Sequence, residues 1–342
     1  MKRIFRISCF IIFILSISLI DSCKKDKEKP KLPKLSTINV SSTTLTLTTA
    51  ISGGDITDGG LPVVSRGVCW GTNLEPTITD DKTSDGIGIG TFSSSIKGLS
   101  PNTNYSIRAY ATTSAGTAYG GRVNLKTFTG TFTDKEGNIY YTVTIGNQIW
   151  MAENLAYLPS VNLRSTASKV SPCYYVYNYD GTNVIEAKAT ENYVIYGVLY
   201  NWYAVMNGSN PYKEPVQGVC PTGWHLPSNS EWNELTASLG GTLNATSSMI
   251  DIAKSNWMHQ YHGDNNISGF SALPAGLYNG ISFAAIGDMA TWWTSTSSYS
   301  DTINKEYREI YNDSYVLYNR WDLGECWAWK EDGLSVRCIK DN

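Results

Sequence analysis

The sequence predicts an α+β protein. A β-sandwich fills residues 35–128, and a mixed domain of short strands, long loops and about two helices fills 131–342. Three observations carry that prediction. Between residues 43 and 127, runs with strand-like alternation are separated by Gly, Pro, Asn and Asp, and no helical period interrupts them. Ten of the eleven tryptophans lie after residue 130, where strand-like runs mix with helix-start signals. The 342 residues also suffice for two domains, each burying its own core.

In the first domain Thr43–Ala50 (TTLTLTTA) has the period of a half-buried strand. Further strands are expected at Val63–Trp70, Gly90–Ile96, Tyr105–Thr112 and Arg122–Thr127. Leu99-Ser-Pro101-Asn-Thr-Asn-Tyr105 resembles the tyrosine corner of fibronectin type III-like domains, in which a Tyr entering a strand bonds back to the preceding turn. Gly86-Ile-Gly88-Ile-Gly90 lacks the surrounding strand–helix–strand unit of a nucleotide site and reads as a hairpin. Ser65-Arg66-Gly67 lacks the Asp of an integrin-type loop. This domain reads as a spacer or a weak binding module.

The second domain opens with a strand over Ile139–Ile145, a Gly146-Asn147 turn and a short strand over Gln148–Met151. Tyr196–Met206 is expected to form a helix with Leu199, Tyr203 and Met206 on its apolar face. Pro221–Pro227 must be extended, after which Ser228-x-x-Glu231 is a capping box starting a helix that Gly240-Gly241 ends. From Ser268 onward short strands and loops are expected.

The N-terminus reads as a targeting signal over residues 1–22. Lys2, Arg3 and Arg6 precede the apolar run Ile7–Ile20, which is too short for a comfortable membrane span. Ile20-Asp21-Ser22-Cys23 resembles a bacterial lipobox, which implies lipidation of Cys23; an ordinary cleaved signal is the alternative. Residues 23–34 form a charged tether similar to the export signals of surface lipoproteins in Bacteroidetes-type bacteria. Display at the outer membrane surface is therefore expected, with a periplasm-facing anchor as the alternative. A net charge of -3 gives no basic field for nucleic acid. Of the remaining cysteines, Cys69 is expected to be a free buried thiol, while Cys173, Cys220, Cys326 and Cys338 allow three pairings in an exported chain.

Residues 131–342 resemble the Fibrobacter succinogenes major paralogous domain of bacterial surface proteins. The resemblance rests on Asp134-Lys-Glu-Gly137-Asn138, Ile145–Leu155 (IGNQIWMAENL), Leu199–Ala204 (LYNWYA) and Cys220–Pro227 (CPTGWHLP). Trp232, Gly269–Gly276 (GFSALPAG) and Ser335–Cys338 (SVRC) extend it. It implies a relative of the C-type lectin-like fold and a Cys220–Cys338 bridge; Cys173–Cys326 then follows by elimination.

No zinc-protease, nucleophile-elbow or phosphate-loop motif occurs. The calcium loop of related lectins is not matched, nor is the paired cysteine of formylglycine-generating relatives, so no cofactor is expected. His259, His262 and Asp264 form the one dense group of metal-capable side chains, which also reads as a solvated loop. His225 reads as a hydrogen-bonded frame residue. Trp292, Trp293, Trp321, Trp327 and Trp329 are the candidate ligand contacts, since Trp327 and Trp329 share one face of a strand and can stack on a sugar. The expected function is adhesion or glycan capture at a host or matrix surface, with the membrane reached through the lipid anchor alone. The alternatives are an exported carbohydrate-active enzyme or a passenger protein without a small ligand.

Overall fold

The structure is a computed structural model that describes residues 31–252, 257–258, 266–296, 304–313 and 320–342. Cys23, the signal segment, most of the tether, His259, His262 and Asp264 lie outside the described residues.

The first domain contains β1 (Lys34–Ile38), β2 (Thr49–Asp58), β3 (Ser65–Gly71) and β4 (Asp81–Lys82). It continues with β5 (Gly90–Lys97), β6 (Asn104–Thr113), β7 (Gly116–Tyr119) and β8 (Val123–Lys126). One sheet runs β1-β2-β5 and the other β4-β3-β6-β7, with β8 also on β6. Val68, Ile96, Ile107 and Ala109 are fully buried in the sandwich core. The tyrosine corner forms as expected, with the Ser100 N–H donating to the Tyr105 hydroxyl at 3.0 Å.

Thr43–Ala50 is not a strand; a turn covers 42–44 and β2 starts at Thr49. The cause is local hydroxyl bonding. Ser41 O accepts from both the Thr44 N–H and its hydroxyl, and the Thr46 hydroxyl pairs with that of Thr49 at 2.8 Å. The body of β2 carries Gly53, where a Cβ would stand 2.0 Å from the Phe92 carbonyl oxygen. Only glycine lets the two backbones approach so closely, and that same glycine hides the strand from a sequence reading.

The second domain begins with β9 (Gly130–Thr133), β10 (Ile139–Ile145), β11 (Gln148–Met151) and β12 (Tyr174–Tyr175). Then come α1 (Val184–Lys188), α2 (Glu191–Tyr196), β13 (Leu199–Tyr200), α3 (Trp202–Met206) and β14 (Trp224–His225). Two longer helices follow, α4 (Asn229–Ser238) and α5 (Thr242–Met249). The chain ends with β15 (Leu277–Tyr278), β16 (Phe283–Ala284), β17 (Met289–Trp293), β18 (Asn304–Asp313), β19 (Arg320–Trp329) and β20 (Ile339–Lys340).

The expected helix over Tyr196–Met206 is instead three elements. Gly197, at φ 76°, ends α2, and the chain passes through β13 before Asn201 caps α3 by accepting from the Ala204 N–H.

The main sheet of this domain has the order β14-β20-β11-β10-β9, so the last strand is inserted between the opening hairpin and β14. Cys220 and Cys338 are bonded beside that insertion across 118 residues of sequence. The junction between the domains is packed, with buried Phe128 stacked on Tyr141 at 4.5 Å.

The segments that carry the family resemblance meet at one buried point. Arg337 is fully buried, and its guanidinium donates to Asn154 Oδ1 at 2.8 Å, to the Met151 carbonyl at 3.1 Å and to the Ser271 carbonyl at 2.7 Å. It also bonds the Phe270 carbonyl and lies 4.4 Å from that ring's centroid. Burial without a directly bonded carboxylate lowers its pKa to about 9. Asn154 completes the knot by accepting from Trp292 Nε1 at 3.0 Å.

Candidate ligand-binding surface

Strands β17, β18 and β19 form an antiparallel sheet in that order. The expected ligand contacts divide sharply within it. Trp292 and Trp293 are both fully buried, and Trp293 donates to the Tyr200 carbonyl at 2.7 Å. Their expected contact with ligand is corrected, because β17 is covered on both faces and each indole N–H is satisfied inside the protein. For Trp321 only the backbone position in β19 is described.

Trp327 and Trp329 are 57% and 50% exposed, while Ala328 between them is buried. They therefore share the solvent face of the terminal strand of this sheet. Their backbone is held firmly. Trp327 pairs with Glu306 and Trp329 with Asn304, and Asp332 turns the chain by accepting from the Trp329 N–H at 2.8 Å. Burial pushes the Asp332 carboxyl up to about 6. Lys169 stands over the Trp329 ring at 5.8 Å and pairs with Glu331 at 3.3 Å.

A cleft of about 550 Å³ opens at the start of α4, lined by Glu214, Pro215, His225, Ser228, Glu231 and Ser295 among others. The capping box forms as expected: the Ser228 N–H donates to Glu231 Oε2 at 2.8 Å, and the Ser228 hydroxyl accepts from the Glu231 N–H at 3.3 Å. The other Glu231 oxygen is 2.7 Å from His225 Nε2, while His225 Nδ1 is 2.7 Å from Asp341 Oδ1. Burial alone would hold the imidazole neutral, but its hydrogen bonds to Glu231 and Asp341 outweigh burial and raise its pKa. Burial likewise pushes the Glu231 carboxyl up, yet the bonds from His225 and Ser228 bring it below the usual range. His225 is thus a frame residue, a bridge between α4 and the chain beyond β20.

The cleft and the tryptophan face are neighbours. Asn229, in the first turn of α4, donates its side-chain amide to Glu306, the β18 residue directly across from Trp327. Arg308 on the same strand donates to the Asn229 carbonyl at 3.3 Å and to Asn233 Oδ1 at 2.9 Å. No sequence signal marked this adjacency, since it depends on packing between a helix and a strand distant in the chain.

The cysteine pairing is half corrected. Cys220–Cys338 is bonded, but Cys173 and Cys326 are free, as is buried Cys69. Cys173 packs with Tyr175 and Tyr278, and its thiol donates to the Thr166 carbonyl at 3.4 Å. The Cys326 thiol donates to Glu309 Oε1 at 2.9 Å, and burial together with that carboxylate pushes it up to about 12. The two thiols thus belong to different packing clusters, each with its own partner. Among the described residues no group of three His, Cys, Asp or Glu side chains is placed to hold a metal ion, and no helix is long and apolar enough to cross a membrane.

The family model of the Fibrobacter succinogenes major domain matches residues 143–340. The chain belongs to that family. The matched stretch spans β11, β14, β20, the Arg337 knot and the tryptophan sheet. No curated protein matches the chain. Among solved structures, the sensor domain of the anti-sigma factor RsgI4 of Pseudobacteroides cellulosolvens is 14% identical, covering 28% of this chain and 95% of its own, with a TM-score of 0.21. A redesigned β-sandwich protein is 23% identical over 28% of this chain and 94% of its own, at 0.19. The twitchin kinase region of C. elegans is 11% identical over 64% of this chain and 35% of its own, at 0.20.

Proposed function

We propose that this protein is a lipid-anchored surface protein whose C-terminal domain, a relative of the C-type lectin-like fold, binds carbohydrate through Trp327 and Trp329. One observation carries the reading. Seven tryptophans of the second domain, including Trp150, Trp202 and Trp232, are buried, while these two alone among the described ones face solvent, side by side on one strand. An exposed indole pair has a cost in solvation that a stacked sugar ring removes. The neighbouring cleft supplies Ser228, Ser295 and Glu231 as hydrogen-bonding groups of the kind that orient sugar hydroxyls. An enzymatic reading is less favoured, because both nitrogens of His225 already face carboxylates, leaving neither free to act as a base. The lipid anchor at Cys23 rests on the lipobox resemblance and the charged tether.

The test is binding of the soluble chain to an array of bacterial, plant and host glycans. The expected result is a restricted set of bound glycans, with affinity at least roughly tenfold weaker (about 1.4 kcal/mol) in Trp327→Ala or Trp329→Ala. A flat array would overturn the reading and favour a passenger role.

A further inference from the structure

The described chain enters the sandwich at Lys31, at the pole where β3 begins and β6 ends. Three connections close over that pole: 59–64 before β3, 83–89 before β5, and the 114–115 turn before β7. They touch one another and the entering chain. A Cβ at Gly60 would lie 2.7 Å from the Lys31 carbonyl oxygen, one at Gly59 3.1 Å from Ile89 Cγ2, and one at Gly116 3.4 Å from Leu32 Cδ2. The Val64 N–H donates to the Thr112 carbonyl at 2.9 Å.

Beside exposed Asp58 and Lys31, this pole presents large aliphatic side chains. Ile87 is 71% exposed, Ile89 61%, Val64 60% and Leu32 48%. Singly such residues need no explanation, but four large aliphatic side chains on adjoining loops form a patch. The loop bearing the isoleucines is built rather than slack. Arg66 Nη1 donates to the carbonyls of Gly88 and Ile89 at 3.3 and 3.0 Å, its Nε donates to that of Asp85 at 3.3 Å, and the Gly88 N–H donates to Val63 O at 2.9 Å. Gly86, Gly88 and Gly90 all have positive φ, which lets the backbone fold inward onto Arg66 while Ile87 and Ile89 stay outside.

We infer that this pole rests on a lipid bilayer, with Ile87, Ile89, Val64 and Leu32 entering the boundary between headgroups and acyl chains. The inference rests on the anchor at Cys23. Only seven residues separate Cys23 from Lys31, a reach of at most roughly 28 Å even when fully extended. Residues 24–31 carry five lysines against two acids, a balance that favours an anionic membrane surface over an apolar protein partner. A shallow apolar contact beside a lipid anchor adds a second signal, and it also fixes orientation. β8 ends beside Asn104, at the far end of β6, so the second domain leaves from the opposite pole. A sandwich standing on its isoleucine pole therefore holds the tryptophan face away from the membrane.

The test couples the chain starting at Cys23, through that thiol, to maleimide lipid in vesicles of phosphatidylethanolamine and phosphatidylglycerol, with Cys326→Ser included to keep coupling selective. Hydrogen exchange is then compared with the uncoupled chain. The expected result is severalfold slower exchange at 59–64 and 85–90, no change at 72–80 around exposed Leu74, and loss of the slowing in the Ile87→Asp, Ile89→Asp double variant. Unchanged exchange at both loops would overturn the inference. So would slowing that survives the double variant, or slowing that appears without lipid as concentration rises, which would assign the patch to a second copy of the chain. The anchor reading is checked apart from this, by incorporation of labelled fatty acid in cells and its loss in Cys23→Ala.

Discussion

Strands β17 and β19 lie in one sheet; β17 carries two tryptophans and β19 three, and the described pair on each strand has the opposite fate. In β17 the two are adjacent, Trp292 and Trp293, so they point to opposite faces and are both fully buried. In β19 they alternate, Trp327 and Trp329, and share one exposed face over a buried Ala328. The difference lies in what flanks each strand. β17 pairs with β18 on one side and bridges to Ser335 on the other, whereas β19 ends the sheet. Adjacent tryptophans require cover on both faces; alternating ones tolerate cover on only one. The first pair is frame and the second is surface.

Truncating one member of each pair tests this difference. Trp292→Ala removes a ring packed against Trp232 and Phe270 and orphans its hydrogen bond to Asn154, and should cost about 3–5 kcal/mol in denaturant unfolding. A small loss would mean that β17 is not the frame strand.

The next largest effect concerns the clamp. Cys220→Ser with Cys338→Ser opens a bridge spanning 118 residues and should cost about 2–5 kcal/mol, read as a lower denaturation midpoint matched by reduction of the native protein. If reduction leaves the midpoint unchanged, the insertion of β20 holds without its bridge.

A smaller effect is pH-dependent. The His225 pKa is raised on folding, so its stabilisation is complete below the ordinary imidazole value of 6.5 and is lost as pH rises through the folded value. That of Glu231 is lowered, so its contribution is complete above the ordinary carboxyl value of 4.5 and is lost as pH falls through the folded value. The bridge should therefore stabilise most between 4.5 and 6.5. Melting temperature against pH should show this window in the native protein and lose the fall above it in His225→Gln; identical profiles would remove His225 from the frame.

The smallest effect on stability is expected at the surface pair. Trp327→Ala should change unfolding by no more than about 0.5 kcal/mol while weakening glycan binding. A cost near that of Trp292→Ala would place Trp327 in the core and end its candidacy.

Local signals were legible where the physics is local. Ser228 and Glu231 spell a cap that needs only its own turn, and Tyr105 reaches back only to Ser100. The hairpin from Ile139 to Met151 is likewise contained in its own letters. Reading failed where distant segments decide. Thr43–Ala50 alternates like a strand, but its hydroxyls bond their own backbone. Elimination points to a Cys173–Cys326 bridge, yet the two thiols are free and sit in separate clusters. The neighbourhood of the cleft and Trp327 passes through Asn229 and Glu306, 77 residues apart.

From the sequence alone came the two-part α+β organisation, the family, the Cys220–Cys338 bridge implied by that family, and the five tryptophans worth weighing. Tertiary packing alone buries Trp292 and Trp293, exposes Trp327 and Trp329, and closes Asn154, Arg337, Phe270 and Trp292 into one buried knot. The physical reason is that composition and periodicity report what a segment can bury. Whether it does so depends on which other segment arrives to cover it: Trp292 and Trp293 are enclosed, while Trp327 and Trp329 at the end of β19 face water.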